Sequence, residues 1–219
     1  RCPRRYLYQK VLGLSGARDD NAYVRFHRAV YAVLRWMNAQ SDTLDADAMG
    51  AEFEKAWATI GPHEHALADL YKDAAEKIIH QAAARPRQNR EFDTELTINV
   101  NGCDLRVAVD EVEKRDSAVT VRRLRTGRAP KKIDQGVTNA LISAAARDAF
   151  GPNTGFEVRY LAREETVTPR FDTVMPRRLQ DVSEAIDGMR QGAFPAEPER
   201  SEDCPRCPHY FICPCVPSA

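Results

Sequence analysis

FDTELTINVNGCDLRVAVDEVEKRDSAVTVRRLRTG, residues 92–127, is where the period of this chain changes. Phe92, Leu96, Ile98 and Val100 alternate with Asp93, Glu95, Thr97 and Asn99, the two-residue period of a strand with one buried face. Asn101-Gly102 is a hairpin signal, because both residues tolerate positive φ. A second strand is expected in DLRVAVDEVEK (104–114), a turn in RDS, and a third strand in AVTVRRLRT (118–126).

Upstream of this stretch the period is helical. Residues 3–12 predict a short helix. Residues 20–40 place Phe26, Val30, Val33 and Met37 on one face. Residues 45–60 and 63–84 predict two more helices, the first with Asp42, Thr43 or Asp45 as cap, and GPH breaks the chain between them. Downstream, residues 133–149 predict a helix, GFEVRYLA (155–162) and TVTPRF (166–171) short strands, and residues 176–191 a last helix. Helices, then a sheet core, then a crossover helix and another strand define an α/β fold. One domain over 1–219 is expected: a mainly helical part (3–90), a sheet core with its crossover helix (91–175), and the last helix with a cysteine tail (176–219).

The 219 residues carry a formal net charge of zero, so composition makes no global case for nucleic acid, although a local basic patch is compatible with it. No apolar run approaches the roughly 20 residues that span a bilayer. No signal peptide and no starting Met are present, so the chain reads as part of something longer, expected in the cytoplasm. No GxxxxGK[ST] phosphate loop occurs.

The tail, DCPRCPHYFICPC (203–215), holds Cys204, Cys207, Cys213 and Cys215; Cys2 and Cys103 complete the six cysteines. Disulfides need an oxidising compartment, which nothing here indicates. Zinc takes four N or S ligands and uses C-x2-C pairs. An iron–sulfur cluster takes four thiolates, commonly with one from a distant segment. Pro205, Pro208 and Pro214 keep the backbone non-helical and bend it, which lets thiolates converge. The fourth ligand is Cys215 or Cys2. Cys2, in a Cys-Pro step that opens a helix, is the better candidate, and a metal there would tie the two ends of the chain together.

CPRRYLYQKVLGL at residues 2–14, with C-x2-C-x5-C following GAFPAEPE at the other end, resembles the iron–sulfur members of the PD-(D/E)XK nuclease superfamily. These include AddB-type nuclease domains, CRISPR adaptation nucleases and C-terminal domains of RecB- or UvrD-like helicases. The resemblance implies a restriction-endonuclease-like mixed sheet flanked by helices, with an N-terminal helical insertion. It also implies a tail stapled by a 4Fe–4S cluster on Cys2, Cys204, Cys207 and Cys213, with zinc as the alternative metal.

In that family an Asp near the end of the second strand and an Asp/Glu-x-Lys on the third, read as DYKTG, hold Mg²⁺, and an early His often adds a ligand. His27 in RFHRAV matches the early His, although an ordinary helical His reads equally well. Asp110 in VAVDEVE matches the first Asp of G-x-I-D-R, with Ala108 and Glu111 in place of the glycine and arginine. Thr126-Gly127 anchors the next motif, and counting back puts Arg123 at the acid position and Arg125 at the lysine position. Arginine offers donors and no lone pair to a metal. A guanidinium about 4 Å from Mg²⁺ repels it by several kcal/mol even at an effective dielectric near 20. The family's Gln-x-x-x-Tyr becomes Gln135 and Asn139. Mg²⁺ is therefore disfavoured, and His27, Asp110 and Glu95 stand as vestigial candidates.

What remains is basic. Arg122, Arg123, Arg125, Arg128, Lys131 and Lys132, with Gln135 nearby, are expected to bind phosphates without metal, and Arg4, Arg5 and Lys10 to extend the patch. A solvated basic hairpin is the bland alternative. The leading expectation is a catalytically inactive domain that binds DNA, single-stranded or at a junction, beside a helicase motor in the same chain or complex, with no membrane partner. The alternatives are an active metal-dependent exonuclease using Asp110, Glu95 and His27, and an assembly scaffold that binds no DNA.

Overall fold

The computed structural model describes residues 2–14, 21–40, 43–85, 88–115, 118–130, 135–198 and 201–214. Its residues form two compact units, Arg1–Asp20 with Ser183–Ala219, and Asn21–Val182.

The first unit joins segments from opposite ends of the sequence. Helix α1 (Pro3–Tyr6) has Cys2 at its N-cap and Pro3 at its first position, where a missing N–H costs nothing. A π-type turn, Leu7–Val11, continues it. The backbone N–H of Arg4 donates to the Pro195 carbonyl at 3.1 Å. The Tyr8 hydroxyl donates to the Ile212 carbonyl at 3.2 Å, and its ring lies 5.3 Å from that of His209. Tyr6 stacks on Phe194 at 6.4 Å. Two 3₁₀ turns, Ser201–Arg206 and Tyr210–Ile212, carry the tail cysteines.

The second unit opens with α2 (Ala22–Asn38), capped by Asn21, whose side chain accepts from the Val24 N–H at 3.0 Å. Helix α3 (Ala46–Ile60) is capped by Asp45, which accepts from Asp47 and Ala48; Asp42, the other acidic cap expected, lies outside the described residues. Helix α4 spans Ala68–Ala83. Phe26, Val30, Val33 and Met37 all face inward, as their spacing predicts, and pack with Met49, Phe53, Trp57, Ile78 and Ile79. Each such side chain removed from water contributes about 1.5–3 kcal/mol. Gly61 ends α3 under the Trp57 ring; a Cβ built there would lie 2.5 Å from the Trp57 carbonyl oxygen and 2.7 Å from its ring.

The sheet runs β1 (Arg90–Val100), β2 (Cys103–Arg115), β3 (Ala118–Arg125), β4 (Gly155–Tyr160) and β5 (Glu165–Val167), side by side in that order. Asn101 (φ +53°) and Gly102 (φ +67°) make the β1–β2 turn. Neighbouring strands are antiparallel except β3 and β4, which are parallel and joined through α5 (Val137–Phe150). This is the restriction-endonuclease-like mixed α/β fold that the strand order and crossover imply.

Some boundaries shift. Helix α4 begins at Ala68 rather than residue 63, because residues 63–67 form turns. The strand expected at 166–171 shrinks to three residues ahead of Pro169, which lacks an N–H to donate to a ladder. Helix α6 (Met175–Arg190) has its first half in this unit and its second half in the other. Among the described residues no helix is long and apolar enough to cross a membrane.

Candidate functional site

Strand alternation puts two charge systems on opposite faces of the sheet. Glu111 pairs in register with Arg122, and one further step sets Asp110 opposite Arg123. Successive side chains point to opposite faces, so Glu111 and Arg122 share one face while Asp110 and Arg123 share the other.

On the first face, the Glu111 side chain is 0% exposed. It accepts from Arg85 at 2.6 Å and from Arg122 at 2.7 Å, and lies 3.1 Å from Arg90. Arg122 also bonds Glu113, and its Nε donates to Glu157 on β4 at 2.6 Å. Burial pushes the Glu111 carboxyl up, but Arg85, Arg122 and Arg90 together outweigh it and hold the group below the ordinary glutamate value. Glu113 is depressed in the same way: burial acts upward, and Arg122, Arg115 and Arg90 act downward more strongly. Arg122 was expected at a phosphate-binding surface. It is 8% exposed and saturated by carboxylates, so it is withdrawn from that set.

On the other face stands the position where the family keeps its metal. Asp110 accepts from the Leu124 backbone N–H at 2.7 Å. Burial raises its carboxyl above the ordinary aspartate value, although that N–H, Arg123 and Arg125 all act to lower it. Both guanidinium groups thus lie within electrostatic reach of Asp110, where the acid and the ammonium of the motif would stand. Arg123 donates to the Asn139 Oδ1 of α5 at 2.5 Å, so the residue at the motif's tyrosine position anchors the arginine at its acid position. Gln135 is engaged too: its Nε2 donates to the Arg170 carbonyl at 2.5 Å and its own carbonyl accepts from Arg178 at 3.0 Å. Arg128 is exposed, and Lys131 and Lys132 lie outside the described residues.

The hydrogen bonds and ion pairs of the two other vestigial candidates go to residues other than Asp110. Glu95 pairs in register with Ala108 and faces Arg106 at 3.5 Å on an exposed surface. His27 sits on α2, its Nδ1 hydrogen-bonded to the Thr126 hydroxyl. Its Nε2 is covered and has no partner among the described residues, and burial lowers its pKa, so the ring is neutral near pH 7. The residue that does stand across from Asp110 is Asp93, one step along the register between the Phe92–Glu111 and Thr94–Val109 pairs. Asp93 takes φ +50°, accepts from the Asn38 side chain at 3.2 Å, and acts on Asp110 as a like charge. Among the described residues no three His, Cys, Asp or Glu side chains converge as a metal site.

In the other unit, Cys2, Cys204, Cys207 and Cys213 are partly buried. The Cys207 N–H donates to the Cys204 carbonyl at 2.9 Å, closing a tight turn between them. Tyr8, six residues after Cys2, is bonded to Ile212, the neighbour of Cys213. His209 is 4% exposed, and its Nε2 has no partner among the described residues. Cys215 lies outside the described residues, and Cys103 opens β2 in the other unit.

A family model described as the PD-(D/E)XK nuclease superfamily matches residues 1–214. A candidate exonuclease of Eubacterium rectale has a crystal structure that is 14% identical and superposes with a TM-score of 0.57, over 94% of this chain and 80% of that one. The protein SSO0001 (12% identity, TM-score 0.39, 87% of this chain and 96% of that one) and VC1899 of Vibrio cholerae (10% identity, TM-score 0.32, 89% and 56%) are more distant. None of the curated proteins matches the chain.

Proposed function

The chain belongs to the PD-(D/E)XK nuclease superfamily, and we propose that it is a member in which the cleavage centre has become a phosphate-binding surface, so that the domain holds DNA without cutting it. One observation carries this reading: Arg123 and Arg125 act on Asp110 from the positions of the motif's acid and lysine. Two guanidinium groups there replace a ligand with a repulsive charge and supply no base at any working pH. The same pair suits a phosphodiester oxygen, which takes guanidinium N–H donors in bidentate fashion. Asp110, raised by burial, is free of a metal role and instead fixes the Leu124 N–H at the point where β2 and β3 part.

The bound DNA is proposed to be a single strand or a junction, and the domain to serve beside a helicase motor in the same chain or complex. Four thiolates suit a 4Fe–4S cluster, and Cys2, Cys204, Cys207 and Cys213 would hold it. Bound there, the cluster would act as a cross-link between the segments that Arg4–Pro195 and Tyr8–Ile212 already bring together. Zinc on the same residues is the alternative, and metal and sulfide analysis after anaerobic purification separates the two.

The test is a nuclease and binding assay on the loaded protein. DNA binding that weakens steeply with salt, with no cleavage in Mg²⁺ or Mn²⁺, is expected. Metal-dependent cleavage abolished by Asp110→Ala would overturn the reading in favour of an active exonuclease. Absence of DNA binding at low salt would favour an assembly scaffold.

A further inference from the structure

Beside the arginines of β3 lies a cavity of about 610 Å³, bordered by the motif's Thr126-Gly127 and the matching His27 and extending from them between α2 and α4. Its size falls within the range of ligand pockets, roughly 300–1,000 Å³. Its walls are apolar: Tyr23, Phe26 and His27 from α2 and Tyr71 from α4, with Leu70 and Ile78 beside them. Its mouth is Thr126, Gly127 and Arg128, directly after Arg125. Among the described residues that line it, none is acidic.

Three features argue for a ligand rather than a packing defect. The Phe26 and Tyr71 rings meet at 5.6 Å, tilted by 43°, and the Tyr23 and His27 rings at 4.2 Å, edge to face, so aromatic rings border the space. Tyr23 is 58% exposed and Leu70 64%, so the apolar rim of the cavity is open to solvent. His27, oriented through Nδ1 by Thr126, keeps a covered Nε2 with no partner among the described residues, and its ring meets that of Tyr23 at 4.2 Å. A covered polar atom left unpaired is costly. For a ligand to reach this buried atom, the side chains over it must turn aside; it could then give or take one hydrogen bond.

We infer that this cavity accepts one unstacked base of a single-stranded DNA whose backbone runs past Arg128 and Arg125. The base stacks on the Tyr23 and Tyr71 rings, its edge meets His27 Nε2, and the phosphate next to it meets Arg128. A duplex keeps its bases paired and cannot fill the cavity. Base–aromatic stacking with a cationic groove is the general means of holding single strands without reading sequence. The inference rests on the DNA-binding reading and narrows it to single strands.

The experiment is fluorescence anisotropy of the full chain, at one fixed salt concentration, with a labelled single-stranded oligonucleotide, the same strand carrying an abasic site at each position in turn, and its duplex. Tyr23→Ala, on an exposed residue, leaves the core intact; His27→Phe keeps the ring and removes Nε2. Tyr23→Ala is expected to weaken single-strand binding about five- to a hundredfold and to leave duplex binding unchanged. One abasic position should weaken the unmodified protein equally and should cost Tyr23→Ala nothing more. His27→Phe should weaken binding by a smaller factor at that same position. If both variants bind single strands as the unmodified protein does, while Arg123→Gln with Arg125→Gln binds less well, the cavity inference is overturned and the DNA-binding reading stands. If the unmodified protein binds no DNA, the broader reading falls and the cavity inference with it.

Discussion

Arg122 and Arg125 are three residues apart on one strand, and the proposed function gives them opposite kinds of work. Arg122→Gln removes the guanidinium that bonds Glu111, Glu113 and Glu157. Breaking a buried ion pair by deleting one partner costs about 3–5 kcal/mol. Glu111 keeps Arg85 and Arg90, Glu113 keeps Arg90 and Arg115, and the Glu157 side chain is 26% exposed, so the lower end applies, about 3 kcal/mol. For a chain of this size about 2–4 °C of Tm accompanies each kcal/mol, which gives a fall of about 6–12 °C. Its effect on the affinity of the folded protein for DNA should be nil. Arg125→Gln reverses the pattern. On a partly exposed side chain it should stay within about 0.5 kcal/mol of the parent stability. It should lower the slope of log K against log salt by about 0.7 for single strands or about 0.9 for duplex. Calorimetry and anisotropy over a salt series read both quantities on the same preparations. An Arg122→Gln protein that melts normally but binds DNA weakly would refute the division of the sheet into a structural ionic face and a ligand-facing one.

Three further outcomes follow from other contacts. Glu111 and Glu113 sit below the ordinary glutamate value in the folded state, so their contribution is fully present above about pH 4.5 and is lost as pH falls through their folded values; urea midpoints should decline on the acid side, and Glu111→Gln should flatten that decline. Gly61→Ala drives a methyl against the Trp57 carbonyl and ring and should destabilise by about 1–3 kcal/mol in urea titrations, with Trp57 fluorescence altered. Cys213→Ser should strip iron and acid-labile sulfide from protein purified without oxygen and remove its visible absorbance; full retention of both would exclude Cys213 as a ligand.

The fold was legible wherever a period was clean. The alternation from Phe92 to Val100 and the Asn-Gly turn specify β1 and β2, and the inward stripe of α2 is the stripe its spacing implies. The exchange of acid and lysine for two arginines was equally visible, because it needs only the Thr126-Gly127 anchor and a count. Asp93 also follows from the sequence: a hairpin with Val100 opposite Cys103 sets residue 93 opposite 110, and Glu95, on the same polar face, opposite Ala108. The fate of Arg122 was not legible. Its period placed it apart from Arg123 and Arg125, yet nothing local says that Arg85, Glu111 and Glu157 meet there, since those residues come from α4's end, β2 and β4 and converge only in three dimensions. A basic run in one dimension can be half ligand surface and half ionic core.

The bond from Tyr8 to Ile212 spans 204 positions of sequence. At about 5–20 residues per second of synthesis, the early segment emerges about 10–40 s before the residues it grips. Through that interval the helical and sheet unit can complete itself, while Tyr8 has no partner to hold. The first unit thus closes only after the helical and sheet unit between its two segments has been made, and synthesis that stops before Ile212 leaves Tyr8 without the carbonyl it grips.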